Sequence, residues 1–270
     1  MKRIAFIGPG KAGCSFGRHI AERGEGSFEV IGYAGRGEAG KALSLAAECD
    51  LLLITVPDKL IAEVWESLSE KLPERNAPLF VGHLSGSRSS EIFIKKPCCH
   101  FGSVHPILAI HDKETSYKNF VGAYFTIEGD VHFKILAAEL LTTLENPFCD
   151  IDADQKTRYH AASVMVSNLV CAIAYQGAET FKGCGLEDDF ADNAWRSLFL
   201  GNAENTAKLG PVLALTGPVE RCDTETVARH LESLSGDARE IYLLLSRTLI
   251  ETAQRKNPGR DYSEMRNLLI

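Results

Sequence analysis

The sequence predicts an α/β protein: a doubly wound, mostly parallel sheet in the N-terminal part, followed by an all-α C-terminal part. Three observations carry this. Up to about residue 145 short apolar runs alternate with helical patterns. A glycine-rich turn follows the first apolar run and opens the first helix, Ile4-Ala-Phe-Ile-Gly-Pro-Gly-Lys-Ala-Gly13. Beyond residue 150 the alternation stops and long helical patterns take over.

The strand-like runs are Arg3–Ile7, Phe28–Tyr33, Leu51–Thr55, Leu79–Leu84, Cys99–Val104 and Ala123–Ile127. Helical patterns lie at about 11–23, 38–48, 58–71 and 131–145. Short apolar runs separated by helices imply a parallel sheet covered on both faces. Asp50-Leu-Leu-Leu-Ile-Thr-Val-Pro57 reads as a buried third strand that Pro57 stops, with Asp58 placed to cap the helix bearing Leu60, Ile61, Val64 and Leu68. Asn146-Pro147 and Asp150-Ile-Asp-Ala-Asp154 mark a join, giving domains 1–150 and 151–270. A long helix from Asp154 to about Lys182 has apolar residues nearly all round, which predicts central burial or a subunit interface. Helices near 187–208, 224–234 and 236–255 follow.

Composition narrows the function classes. The 270 residues are 45% hydrophobic and 24% charged, as in ordinary soluble proteins. A net charge of −7 with scattered basic residues argues against a nucleic-acid surface. No uninterrupted apolar run of about 18 residues indicates a membrane span, and the N-terminus runs directly into a strand, without a signal peptide. The eight cysteines form no Cys-x-x-Cys pair, and most read as small core residues in a reducing cytoplasm. No metal site is expected, because Cys98-Cys99-His100 on an extended segment would point to alternate faces.

The glycine turn has the chemistry of a dinucleotide site. Gly8 permits the tight turn, Gly10 lets the backbone approach a pyrophosphate, and Gly13 lets helix and strand pack closely. The first-turn N–H groups meet the anion with a partial positive charge. Pro9, Lys11 and Ala12 complete the loop, and Val56, Pro57 and Asp58 after the third strand are expected to line the cofactor. An NAD site usually ends its second strand in an acid. Here Tyr33-Ala-Gly-Arg-Gly37 offers Arg36 instead, suited to a 2′-phosphate, so NADP is expected, with NAD possible. Arg36 also reads as a plain solvent-exposed loop residue. No Gly-Lys-Ser/Thr points to a P-loop.

Ligands of such sheets lie beyond the C-terminal strand ends. There the fourth strand gives His83-Leu-Ser85-Gly-Ser87 and the fifth Ser103-Val-His105-Pro106. Ser85 and His105 suit polarising a carbonyl or moving its proton, since an unperturbed histidine holds both protonation states near neutrality. On the long helix His160, Ser163, Val164, Ser167 and Cys171 share a face, with Asn168 at its edge. Such a stripe either lines a ligand or satisfies itself on helix carbonyls. Leu215-Thr-Gly-Pro218 with Arg221 and Asp223 is a polar interruption, either a connection or a loop offering Arg221 to an anion.

Taken with Thr55-Val-Pro-Asp58, His83-Leu-Ser-Gly86, Tyr159-His-Ala-Ala-Ser-Val-Met-Val-Ser-Asn168 and Ala214-Leu-Thr-Gly-Pro-Val-Glu-Arg221, these motifs resemble the predicted short-subunit oxidoreductases along essentially the whole chain. That family joins a Rossmann-like domain to an all-helical domain of unknown function. The resemblance implies an NADP-type oxidoreductase, dimeric through its helical domain. More distantly, Ser85 and His105-Pro106 are similar in placement to the serine and His-Pro of prephenate dehydrogenases, implying His105 as acid/base and Ser85 as its helper. The hydroxyacid dehydrogenases place a lysine, then an asparagine one turn later, on their long helix. This chain is read as departing from that, with His160 and Asn168 two turns apart and its helix lysine only at Lys182.

The expected function is therefore hydride transfer between a nicotinamide and a small carbonyl, imine or alcohol, with His105 or His160 exchanging the proton and Asn168 orienting the substrate oxygen. The alternative is a non-catalytic NADP-binding sensor or scaffold, favoured by the missing lysine.

Overall fold

A computed structural model describes all 270 residues. The chain divides into two compact units, Met1–Ser167 and Asn168–Ile270. The first runs past the expected join at 150 because one further helix belongs to it.

In the first unit the order is β1 (Lys2–Ile7), α1 (Lys11–Arg23), β2 (Phe28–Ala34), α2 (Ala39–Glu48), β3 (Leu51–Ile54), α3 (Ile61–Lys71), β4 (Leu79–His83), β5 (Cys99–Pro106), β6 (Phe125–Gly129), α4 (Val131–Thr143), β7 (Phe148–Asp150) and α5 (Lys156–Met165). The seven strands form one sheet in the order β2-β1-β3-β4-β5-β6-β7. Neighbours are parallel except β5 and β6. Strand alternation explains the two covered faces. Ile4, Phe6, Leu51 and Leu53 pack on one side with Phe16, Ile20, Leu136 and Leu140. Ala5, Ile7, Leu52 and Ile54 pack on the other with Leu45, Trp65 and Leu68. The strand order reverses between β1 and β3, and that switch point is where such sheets open a crevice.

The second unit holds α6 (Asn168–Lys182), α7 (Asp188–Ala214), α8 (Pro218–Arg221), α9 (Thr224–Ser233), α10 (Gly236–Lys256) and α11 (Ser263–Leu268). Its core is small: Val219, Val227, Leu231, Ile250, Ala253, Tyr262, Met265 and Leu269. Helix α7 is broken at Gly210 (φ 78°), before Pro211.

The structure corrects several expectations. The single helix from Asp154 to Lys182 is two, interrupted at Val166-Ser167. Its apolar residues are not buried within the chain: Leu169, Ile173 and Tyr175 are 49%, 44% and 66% exposed. By length and composition alone, Ala153–Lys182 would pass as a membrane span, its most apolar window having a mean hydropathy of 1.3. Looking for an unbroken apolar run missed this. Of the eight cysteines only Cys49 is buried, so the reading of most as core residues fails. Asp58 does not cap the third helix; its carboxylate instead accepts from Ser85 Oγ.

Candidate active site at the C-terminal edge of the sheet

The glycine turn has the geometry its residues predict. Gly8 sits at φ +102°, and a Cβ there would fall 2.8 Å from the backbone of Thr55 and Val56. A Cβ on Gly13 would fall 2.3 Å from Thr55 Oγ1 and 2.8 Å from Gly8 O. At Gly10 the nearest atom would be Thr55 O at 3.8 Å, leaving room for a ligand to approach the backbone. Thr55 locks the turn, its Oγ1 donating to Gly8 O at 2.7 Å. The first intrahelical bond of this end, Cys14 N to Gly10 O at 3.0 Å, leaves the amides of Lys11, Ala12 and Gly13 ahead of it.

These groups border a cleft of about 820 Å³ lined by Gly8, Pro9, Gly10, Arg36, Val56, Pro57 and Lys59 among others. Lys11, Ala12, Gly13 and Asp58 do not line it. Lys11 is exposed, while Ala12 packs against the core. Arg36 is exposed at the cleft wall. The nearest acid, Glu38, turns back to accept from Gly35 N at 2.7 Å, and that bond holds its carboxyl below the usual range. A dinucleotide fits this donor set: an open glycine backbone, helix-start amides and one guanidinium.

A second group of side chains begins one residue past Pro57. Ser85 Oγ donates to Asp58 Oδ2 at 2.5 Å, and Ser87 Oγ donates to the same oxygen at 3.2 Å. Ser85 Oγ also accepts from Arg88 N at 3.1 Å, which fixes the hydroxyl in the loop after β4. His83 beneath it is fully buried, and its Nδ1 accepts from Ser85 N at 3.1 Å. Burial, with the nearby charge of Lys156, pushes His83 down to about 3, so it is a neutral structural group.

His105 and His160 come together over Gly86. A Cβ there would fall 2.7 Å from both His105 Nε2 and His160 Cδ2, and the two rings lie 6.1 Å apart. His105 Nδ1 hydrogen-bonds the Tyr159 hydroxyl at 2.6 Å. Burial first, then the charge of Lys156, lowers His105 to about 4. It is therefore neutral near pH 7, and the expectation that it holds both protonation states there fails.

Sequence reasoning passed over Lys156. Its side chain is fully buried, and Nζ donates to Ser103 Oγ at 2.7 Å and to Ser85 O at 3.2 Å. Burial lowers it to about 8, against the opposing pull of Glu128 and Asp58. Lys156 lies one turn before His160 on α5, so the helix does carry a lysine among the strand ends. The signal was that i, i+4 spacing, masked by the polar run Asp154-Gln-Lys-Thr-Arg158, which reads as a solvated helix start.

The serines of the predicted stripe bond back to their own helix: Ser163 Oγ donates to Tyr159 O at 3.2 Å and Ser167 Oγ to Ser163 O at 2.7 Å. Asn168 is exposed and opens the second unit. Arg221 is exposed on α8, and Asp223 caps α9 by accepting from Thr226 N at 3.1 Å.

Residues 123–249 match a family described as a domain of unknown function, DUF2520. No curated protein matches the sequence. Among solved structures, protein TM1727 from Thermotoga maritima is 24% identical, with a TM-score of 0.70 over 94% of this chain and 99% of that one. BF3122 from Bacteroides fragilis, a candidate NADP oxidoreductase, is 23% identical with a TM-score of 0.69, covering 93% and 98%. A pyrroline-5-carboxylate reductase from Coxiella burnetii is 16% identical with a TM-score of 0.54, covering 94% and 98%. At these identities the likeness is one of fold. The DUF2520 match and these Rossmann-type neighbours agree with the resemblance read from the sequence in its two-part, Rossmann-type fold.

Proposed function

We propose that the protein is an NADP-dependent oxidoreductase acting on a small carbonyl, imine or alcohol. One observation supports this above the rest: the dinucleotide-type cleft is joined through Pro57-Asp58 to a buried cluster able to move a proton. A nicotinamide dinucleotide, when bound, supplies or accepts a hydride. Gly8 to Gly13 would hold its pyrophosphate through backbone groups, and Arg36 its 2′-phosphate.

Lys156 takes the acid/base role that the sequence reading gave to His105. Its lowered proton affinity suits a group that must give and retake a proton near neutral pH. Two of its N–H groups are committed to Ser103 and Ser85, and the third serves the substrate's oxygen or nitrogen. Neutral His105 carries one ring proton; in the tautomer that accepts from Tyr159 at Nδ1, that proton is on Nε2, where it would orient that substrate atom. His160, pressed on the same glycine, narrows the space beside it. Asn168 remains a proposed substrate-orienting residue. Lys156 removes the ground on which a non-catalytic binder was favoured.

We also propose a homodimer through the helical unit. Exposed apolar side chains support it, including Leu198 on α7, Leu244 on α10, and a groove of about 460 Å³ lined by Ile173, Phe181, Ile241, Leu245 and Leu249. All eight cysteines are free, which fits a reducing cytoplasm.

The test is NADPH oxidation and NADP reduction over a panel of carbonyls, imines and alcohols, with Lys156→Met, His105→Ala and His160→Ala alongside wild type. Turnover that Lys156→Met abolishes supports the reading. Tight dinucleotide binding without turnover on any member of the panel returns the protein to the binder class.

A further inference from the structure

We propose that Glu128 is a positioning residue for Lys156: it touches no substrate, but through Ser103 it orients the ammonium group and keeps it protonated. This rests on the acid/base role given to Lys156 above.

The arrangement follows from the one antiparallel pair in the sheet. β5 and β6 run in opposite directions with Ser103 directly opposite Glu128. Directly opposed residues lie close enough for their side chains to meet. Glu128, 4% exposed, accepts from Ser90 Oγ at 2.6 Å, from Ser90 N at 3.0 Å and from Ser103 Oγ at 3.1 Å. Ser103 in turn accepts from Lys156 Nζ at 2.7 Å. A hydroxyl has one proton, so by giving it to Glu128 Ser103 turns its lone pairs to the lysine. Lys156 Nζ lies 4.0 Å from Glu128 Oε2, beyond direct hydrogen bonding but well within the reach of charge.

The surroundings of Lys156 give Glu128 this influence. Asp58, before α3, also favours the charged lysine. His83 at the end of β4 and His105 on β5 are both held neutral and compensate nothing. On α5 itself His160 lies beside His105. Glu128 is the larger of the two negative influences, and the buried one. Burying an ammonium without such a partner favours the free amine.

The experiment is a pH titration of full-length protein carrying ε-13C lysine, with the Lys156 resonance identified by its loss in Lys156→Met. Relative to wild type, Glu128→Gln should lower the proton affinity of Lys156 by roughly tenfold or more. Glu128→Asp, which keeps the charge, should lower it less. Should Glu128→Gln fail to fold, Ser103→Ala provides the second arm, since removing the bridge should also lower the affinity. An unchanged midpoint in the folded variants overturns the proposal. The titration needs neither cofactor nor substrate, so that failure is separate from failure of the oxidoreductase reading, which shows as absent turnover while the shift is present.

Discussion

Lys156 and His105 illustrate how burial redistributes roles among side chains that carry the same chemistry in isolation. Taken out of water, each loses proton affinity. For the histidine this removes the charged form from neutral pH, whereas for the lysine it brings the neutral form within reach. With Lys156 as proton donor, Lys156→Met should lower turnover by about 100-fold or more while leaving the NADPH dissociation constant unchanged. Steady-state kinetics beside a binding titration separates the two. In the reducing direction the donor must be protonated, so the rate should hold below about pH 8 and decline as pH rises through it. The same substitution strands buried Glu128 and should cost about 3 kcal/mol, part of which Lys156→Met with Glu128→Gln recovers in urea melts. Spacing alone made the shared strand-end position of Ser85 and His105 legible, as it did the Gly8 turn. Which of them titrates was not legible, because desolvation depends on what packs around a group.

At the level of elements, β1, its turn and α1 were readable because each residue choice is local: an apolar strand, glycines at the close approaches, then a helix. Gly8 at φ +102° is strained for any other residue, and its Cβ would meet backbone rather than a mobile side chain. Gly8→Ala should therefore cost about 1–3 kcal/mol in stability and abolish dinucleotide binding, checked by denaturation and titration. Other elements were hidden. β7 is three exposed residues, too short for a periodic signal. The direction of β6 is set by its connection: no long crossover helix lies between Pro106 and Phe125, and β6 runs antiparallel to β5. The break between α5 and α6 follows serines that bond back to their helix, a pattern that bends helices. The strand ends of β4 and β5 also predict acid sensitivity. His83 and His105 have folded values of about 3 and 4 against 6.5 when unfolded. Below pH 6.5 the unfolded chain takes up protons that the folded chain refuses. Stability should therefore be full above pH 6.5 and fall as pH drops toward about 4. Urea midpoints at pH 7.5 and 4.5 test this, and equal midpoints would contradict it.

For the whole molecule, the two units differ in how completely they bury their apolar residues. The first has helices on both faces of its sheet; the second has a small core and leaves Leu198, Leu213 and Leu244 more than 60% exposed. Such a surface is what the proposed homodimer would cover. Light scattering should give twice the mass of one chain, and Ile173→Glu with Leu245→Glu in the groove should give the single-chain mass. A chain found only with membranes would instead assign the apolar stretch around α6 to lipid. The two-part architecture was legible from the loss of strand–helix alternation, but helical periodicity cannot say whether an apolar face is covered by its own chain.

The central claim, an NADP site at the β1–β3 switch point, is tested most directly by calorimetric titration of NADPH and NADH into wild type and Arg36→Ala. Wild type should prefer NADPH, and Arg36→Ala should weaken NADPH by about tenfold or more while leaving NADH unchanged. No binding of either dinucleotide, or equal weakening of both by Arg36→Ala, would contradict the account.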